Sequence, residues 1–109
     1  MPLDFDALSN WDFEEIKQTL TERDTILYAL GLGFGEDPTD RKELAFVYED
    51  GLRAVPSMAV TMGYPGFWLR NPKTGVNWQK VLHGEQWLDI YKPLPVKGNI
   101  IGRSRIDFI

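Results

Sequence analysis

The chain has 109 residues, of which 43% are hydrophobic and 26% charged, and its 16 acidic against 12 basic residues give a net charge of -4. This composition is typical of one ordinary globular domain and excludes a disordered or fibrous protein. Charges of both signs are scattered along the chain, which argues against nucleic-acid binding because that needs a basic patch. The absence of cysteine excludes disulfides, thiolate metal sites and thiol catalysis.

The distribution of apolar residues disfavours two further classes of protein. No apolar stretch approaches the roughly 18 residues of a membrane span. The acidic residues 1–12 lack the positive leader and the continuous apolar segment of a secretory signal. We therefore expect a cytoplasmic protein with no membrane partner.

The first third of the chain predicts one clear helix. Residues 13–20 carry apolar side chains at helical spacing with poor helix formers between them, so helix and extended chain both stay open. Thr21 and, three residues later, Asp24 form an N-terminal cap, which predicts a helix from this point to Gly31. The glycines that follow lack the spacing of a phosphate-binding loop and indicate a close-packed turn.

The middle of the chain predicts a strand and an apolar helix. Residues 44–49 are rich in aromatic and branched side chains, as strands are. Pro56 suits the first turn of a helix whose body is 57–62 and which Gly63 ends. Because this helix is apolar nearly all round, we expect a sheet to enclose it.

The second half predicts a loop and two strands. The loop, residues 64–78, carries the bulky Phe67 and Trp68 beside a Pro-Gly pair. Residues 81–91 are the longest strand candidate, with apolar side chains in both alternating phases, and 100–109 begin a second strand in a hairpin-like pair with it. So small a sheet leaves edges and one face uncovered, so the chain is expected to be a fragment or to be completed by other chains.

Three sequence blocks carry a resemblance to a known family. They read YALGLGFGEDP at 28–38, ELAFVYEDGLRAVPSMAVTM at 43–62 and VLHGEQWLDIYKPLP at 81–95. In order and spacing they resemble the amino-terminal half of type 2 enoyl-CoA hydratases, of the MaoC-like dehydratase group. The third block is the most specific, because a His-Gly-Glu-Gln run before a Lys-Pro-Leu-Pro turn is uncommon elsewhere.

The resemblance implies an α+β hot-dog fold, in which a curved antiparallel sheet wraps a central helix, here the one entered at Pro56. Residues 1–109 would form a partial amino-terminal hot-dog domain, and the catalytic second domain would lie outside this sequence. The implied function is that of the acyl-chain-binding, non-catalytic part of a (3R)-specific 2-enoyl-CoA hydratase, a lyase of fatty acid metabolism. Two alternatives stay open: a hot-dog acyl-CoA thioesterase or other acyl-thioester dehydratase, and a non-catalytic module that binds an acyl thioester or a partner.

The resemblance does not extend to the family's catalytic motif. That motif is an Asp, an Asn two residues on and a His three beyond, whereas the single histidine here is His83 and Trp78 stands five residues before it. This segment alone is therefore predicted to be inactive. The implied partners are an acyl-CoA thioester, a second hot-dog domain of the same or another chain, and a homodimer of the full-length protein, with no cofactor or metal beyond coenzyme A as part of the substrate.

Seven residues are predicted to contact the substrate. Five form the proposed acyl wall and two lie near the thioester end of the tunnel: Met58, Met62, Phe67, Trp68 and Trp87, then His83 and Gln86. Ordinary core packing is the alternative for each apolar residue.

Two other clusters are weaker candidates for a site. His83, Glu85 and Asp89 would share one strand face, but one imidazole with carboxylates is a weak metal or acid/base signature. The thin basic cluster at 97–105 could serve the phosphates of coenzyme A.

Overall fold

The structure, a computed structural model, describes residues 3–109. Its regular elements are few: helix α1 (Phe5–Ser9), strand β1 (Ile16–Leu20), helix α2 (Glu22–Gly31), helix α3 (Arg41–Leu44) and strand β2 (Gly98–Gly102). Short 3-10 helices occupy the interval between α3 and β2, at Pro56–Thr61, Trp68–Arg70, Pro72–Thr74 and Trp78–Lys80. The described residues therefore form an α+β structure, as expected.

Helix α2 begins and ends where the sequence predicts. The Thr21 hydroxyl accepts a hydrogen bond from the Asp24 backbone N–H at 3.2 Å, and the Asp24 carboxylate accepts one from the Thr21 backbone N–H at 2.8 Å. This capping box satisfies two backbone donors that a helix start leaves free. The buried side of α2 carries Thr25 and Ala29.

The two strands are far apart in sequence and pair with each other. β1 and β2 are antiparallel, with Ile16 opposite Gly102 and Leu20 opposite Gly98. Of the two conformations left open for residues 13–20, helix and extended chain, the structure therefore has extended chain in β1. Leu20, at the end of β1, is buried. The predicted pairing of 100–109 with 81–91 is wrong, because β1 takes that place beside β2.

The predicted strand at 44–49 is also wrong. The Asp40 carboxylate accepts hydrogen bonds from the backbone N–H groups of Lys42 and Glu43 and starts α3 there. The chain then turns, and the Tyr48 backbone N–H donates to the Leu44 carbonyl at 2.9 Å. A local cap and turn, which need no distant partner, win over the strand propensity of the aromatic and branched residues.

Residues 81–91 form no strand, against the prediction. Every side chain in this range is exposed, and Leu82 and Trp87 are 91% and 76% exposed. A strand becomes stable by pairing its backbone with a neighbour and covering one face. Within residues 3–109 neither the neighbour nor the cover is present for this stretch.

The apolar helix is present but is a short 3-10 helix, Pro56–Thr61, with Pro56 in its first turn. Met58 is 2% exposed while Val60 is 42% exposed, so only one side of the helix meets the core. The expectation that a sheet encloses the helix is wrong. A sheet of two five-residue strands is too small to wrap a helix.

The buried core of residues 3–109 is small. Its buried apolar side chains are Leu8, Leu20, Ala29, Val55 and Met58. The radius of gyration is 17.4 Å, against roughly 13 Å for a compact chain of about 100 residues. Large apolar side chains consequently stay in contact with solvent. None of the helices in the described range has the length and apolar character needed to cross a bilayer.

A close contact of two glycines joins the end of the 3-10 helix to the sheet. A Cβ added at Gly102 would lie 2.6 Å from the Gly63 Cα, whereas one added at Gly84 would meet nothing within 4 Å. Because backbone atoms cannot move aside as a side-chain tip can, we expect Gly102→Ala to lower the free energy of unfolding by about 1–3 kcal/mol. Gly84→Ala is the matched control, and urea titration followed by circular dichroism measures both. Equal effects would contradict this view of the contact.

The capping box gives a second prediction. The backbone N–H and the hydroxyl of Thr21 hold the pKa of Asp24 below its ordinary value. Thr21→Ala should lower the free energy of unfolding by about 1 kcal/mol at neutral pH. The part of this stabilisation that comes from the Thr21 hydroxyl donating to the Asp24 carboxylate at 2.9 Å is complete above the ordinary carboxyl pKa of 3.8 and is lost as the pH falls through the lowered folded-state pKa. The backbone N–H of residue 21 donates to the carboxylate in both proteins. Urea titrations from pH 2 to pH 7 should show that the wild-type protein and Thr21→Ala differ less in free energy of unfolding as the pH falls.

Candidate functional site

The seven residues predicted to contact substrate lie in three separate places. Met58 is in the 3-10 helix Pro56–Thr61 and Met62 follows it. Phe67 and Trp68 lie in the next loop and a short helix. The other three are in the exposed stretch at 81–91: His83, Gln86 and Trp87.

Phe67 and Trp68 pack against different aromatic side chains. Trp68 packs edge-on against Phe13, with ring centroids 4.9 Å apart, and tilted against Trp11 at 5.6 Å. Phe67 packs edge-on against Trp78 at 5.8 Å. The two neighbouring side chains thus have different partners, and the structure does not bring them together as one wall.

The polar candidates make few contacts within the described residues. The Gln86 side-chain amide donates to the Trp87 carbonyl at 3.0 Å, and His83 is exposed. His83, Glu85 and Asp89 are not part of any metal-ligand cluster in residues 3–109. Within the part of the chain that the structure describes, His83 therefore has no metal-ligand cluster around it.

An apolar groove of about 550 Å³ lies between two segments that are distant in sequence. One wall includes Leu52, Ala54 and Pro56, and the facing wall includes Ile90, Leu94 and Val96. Arg53 from the first wall and Lys92 from the second also line it. The groove therefore combines an apolar lining with positive charge, and its volume is in the range of small-molecule sites.

Helix α2 supports both walls of this groove. The Thr25 hydroxyl donates to the Val96 carbonyl at 2.8 Å and fixes the second wall. The Tyr28 hydroxyl shares a hydrogen bond of 2.8 Å with the Ser57 hydroxyl, next to Pro56 of the first wall. The first wall is also tied to the turn after α3, since the Arg53 backbone N–H donates to the Ala45 carbonyl at 2.8 Å.

The charge pattern separates the groove from the basic cluster at 97–105. In that cluster three cations lie beside acidic side chains: Lys97 with Glu22 at 3.6 Å, Arg103 with Glu15 at 2.9 Å, and Arg105 with Asp107 at 2.8 Å. Neither Arg53 nor Lys92 is in an ion pair within residues 3–109. The Arg53 guanidinium instead lies 5.9 Å from the centroid of the Phe46 ring, which favours a cation.

Sequence reasoning missed the residues of the groove, although they lie in the resemblance blocks at 43–62 and 81–95 or next to them. It selected Met and aromatic side chains for the acyl wall, whereas Leu52, Ala54 and Leu94 are aliphatic side chains of modest size. The available signal was a cation beside apolar residues in each segment, in LRAVP and in IYKPLP. Nothing in the spacing indicated that the two segments face each other.

The family model and the similar proteins found by comparison point to the same family. Residues 18–109 match the family model described as the MFE-2 hydratase 2 N-terminal domain. The chain is 36% identical to "Enoyl-CoA hydratase 2, peroxisomal" of Arabidopsis thaliana, covering 90% of this chain and 34% of that protein. It is 33% identical to "Probable enoyl-CoA hydratase 2" of Dictyostelium discoideum, covering 97% and 36%. It is 37% identical to "Peroxisomal multifunctional enzyme type 2" of Mus musculus, covering 73% and 11%. The chain thus spans about a third of the length of the first two relatives.

The bond from α2 to the groove wall can be tested by two substitutions of one residue. Thr25 is 1% exposed, so Thr25→Val would leave the Val96 carbonyl without its partner, at a cost of about 1–3 kcal/mol in the free energy of unfolding. Thr25→Ser keeps the hydroxyl and should retain more of the stability. Chemical denaturation of the two variants checks the order, and a Ser variant less stable than the Val variant would contradict it.

Proposed function

Because the chain belongs to the MFE-2 hydratase 2 N-terminal domain family, we propose that it is the acyl-thioester-binding, non-catalytic part of a (3R)-specific 2-enoyl-CoA hydratase. The observation that carries the binding role is the groove between Leu52 and Leu94, which is apolar along its walls and lined by cations from both sides. An acyl-CoA likewise has an apolar part and a charged part, since its tail is apolar and its head carries phosphates. The groove therefore complements both parts of such a ligand.

The reaction explains why this chain would supply binding and another domain would supply catalysis. Adding water to an enoyl thioester needs a base for water, an acid for the alpha carbon and a donor for the developing enolate oxygen. The single histidine of the sequence is His83, and its side chain is exposed. The sequence of residues 1–109 contains no Asp-x-Asn-x-x-His pattern to combine these roles. We assign no catalytic residue to this chain.

The acyl chain would lie along the apolar walls. Each buried methylene contributes about 0.8 kcal/mol, so even a partly enclosed tail of several carbons adds substantially to affinity. Met58 belongs to the helix that begins at the groove residue Pro56, so it stays a candidate for the inner end of the wall. Met62, Phe67, Trp68, His83, Gln86 and Trp87 stay predicted substrate contacts that depend on a cover for the exposed part of the chain.

The proposed hot-dog fold and its second domain are supported by what this chain leaves uncovered. Residues 81–91 expose apolar side chains in both phases and lack strand pairing within residues 3–109. A second hot-dog domain of the same or another chain would provide both a backbone partner and a cover. The matched relatives are about three times as long as the matched segment, which leaves room for such a domain.

Three other expectations belong to the same proposal. They are a homodimer of the full-length protein, no cofactor beyond the coenzyme A of the substrate, and a cytoplasmic location. The Arabidopsis and mouse relatives are named as peroxisomal, so imaging of the tagged full-length protein would test the location.

Binding without turnover is the measurement that tests the function. The 109-residue chain should bind decanoyl-CoA in calorimetry and should not remove the ultraviolet enoyl absorbance of 2-decenoyl-CoA. Leu52→Asn should weaken binding roughly tenfold, because it removes about 1–2 kcal/mol of apolar contact. Leu82→Asn is the control, since Leu82 is 91% exposed and lies outside the groove.

Two outcomes would contradict the proposal. Clear hydration of 2-decenoyl-CoA by the purified chain would show that catalysis resides here. Failure of the folded chain to bind any decanoyl thioester would remove the binding role.

A further inference from the structure

A further cavity, of about 280 Å³, lies outside the groove and is lined by three aromatic side chains. These are Trp11, Phe13 and Trp68, none of which lines the groove. The ring of Trp68 is tilted by 41° from that of Trp11 and by 81° from that of Phe13, with centroids 5.6 and 4.9 Å apart. Three rings in different planes therefore meet at this cavity, which we call the aromatic recess.

The charged residues that line the aromatic recess are both acidic. They are Asp12 and Glu14, which alternate with the two rings along residues 11–14 and have exposed side chains. Within residues 3–109 no lysine or arginine lines this cavity. The groove of the proposed function has the opposite charge, because Arg53 and Lys92 line it. The aromatic recess is therefore suited to a cation.

We propose that the aromatic recess binds the trimethylammonium group of a small molecule. Such a group spreads its charge over a methyl surface, so it gains from apolar contact and from the negative faces of aromatic rings without needing a hydrogen-bond partner. The carboxylates of Asp12 and Glu14 add an attraction that an uncharged group of the same shape lacks. The cavity volume is just below the roughly 300–1,000 Å³ of drug-sized sites, which fits one small group.

This site goes beyond the proposed function and does not depend on it. Trp11 and Phe13 precede the residues 18–109 that match the family model. The recess and the groove also have separate linings. A cationic small molecule and an acyl thioester would therefore bind at different places on the chain.

Local hydrogen bonds position the rings before a ligand arrives. The Trp11 backbone N–H donates to the carbonyl of the buried Leu8 at 3.2 Å, at the end of α1. Trp68 begins a 3-10 helix, and the turn after this helix is fixed by the buried Thr74 hydroxyl, which donates to the Asn71 carbonyl at 2.8 Å. Because both sides are already positioned, little conformational freedom is lost on binding.

Ordinary aromatic packing is the alternative explanation of the three rings. Their tilted and edge-on contacts would stabilise the fold by themselves. Each ring nevertheless stays partly exposed, and the cavity beside the rings has two carboxylates in its lining. Packing accounts for the contacts between the rings and leaves the acidic lining unexplained.

The binding test compares four small probes on the 109-residue chain. They are choline, ethanolamine, which lacks the methyl groups, 3,3-dimethylbutanol, which lacks the charge, and phosphocholine, which carries the phosphate of a lipid head group. The side-chain N–H signals of the four tryptophans in nuclear magnetic resonance spectra report where each probe binds. Trp78 and Trp87 lie outside the recess and are internal controls, and Trp78 already has the Arg70 guanidinium 5.0 Å from its ring centroid.

Choline should shift the signals of Trp11 and Trp68 and leave those of Trp78 and Trp87 in place. Ethanolamine and 3,3-dimethylbutanol should bind roughly three- to fivefold more weakly, since each lacks one of the two features that the recess recognises. Phosphocholine should also bind more weakly than choline, because the carboxylates repel its phosphate. These comparisons use the wild-type chain and do not depend on the folding of any variant.

Two double variants test the contribution of charge. Asp12→Asn with Glu14→Gln should weaken choline binding roughly two- to threefold at low salt and less at high salt. Its affinity for 3,3-dimethylbutanol should not change. Glu85→Gln with Asp89→Asn makes the same change of charge outside the recess and should leave choline binding as it is. Circular dichroism shows whether each variant is folded.

Each other result overturns a definite statement. Equal affinity for choline and 3,3-dimethylbutanol overturns the assignment to a cation, and equal affinity for ethanolamine overturns the assignment to a methylated one. Tighter binding of phosphocholine than of choline overturns the small-molecule cation in favour of a lipid head group. Unmoved signals of Trp11 and Trp68, or equal shifts of all four tryptophans, overturn the site itself. None of these results concerns decanoyl-CoA, so the proposed function is tested separately.

Discussion

The buried hydroxyl of Thr25 is the contact on which the rest of the arrangement depends. It donates to the Val96 carbonyl at 2.8 Å, and so holds the segment before β2 against α2. One turn later in the helix, Tyr28 bonds to Ser57, which holds the 3-10 helix at Pro56–Thr61. A single capped helix thereby fixes two segments about forty residues apart, and the groove is the space between them. The core has few other buried side chains, so these two bonds and the one from the Arg53 backbone N–H to the Ala45 carbonyl hold the walls in place.

Local interactions are the part of the fold that the sequence could predict. The start of α2 follows from Thr21 and Asp24, which lie three residues apart, and Pro56 correctly marked the start of a helical segment. The strands could not be predicted in the same way, because a strand exists only where a distant partner pairs with it. Residues 81–91 have the composition of a strand and no partner within residues 3–109. β1 has an ambiguous composition and is a strand because β2 lies beside it.

The candidate site was predictable to a similar extent. The resemblance blocks at 43–62 and 81–95 include nearly all the segments that form the groove, so the regions were identified before the structure. The side chains that line the groove were not identified, and the seven predicted substrate contacts, Phe67 and Trp87 among them, stay predictions. Phe67 packs on Trp78, and Trp87 is exposed. Leu52 and Leu94 line the same groove because the hydrogen bonds of α2 bring their segments together, and pattern and spacing do not encode those bonds.

The small core and the exposed stretch at 81–91 have one physical explanation. A chain of about 109 residues can bury about two thirds of its unfolded surface only if its strands pair and its faces are covered. Here the sheet has two strands, and apolar side chains such as Leu82 and Trp87 remain in water. A second domain that pairs with residues 81–91 would remove this surface from solvent and would also close the outer side of the groove, whose second wall begins at Ile90. Under the proposed function, completion of the fold would therefore also enclose more of the acyl tail.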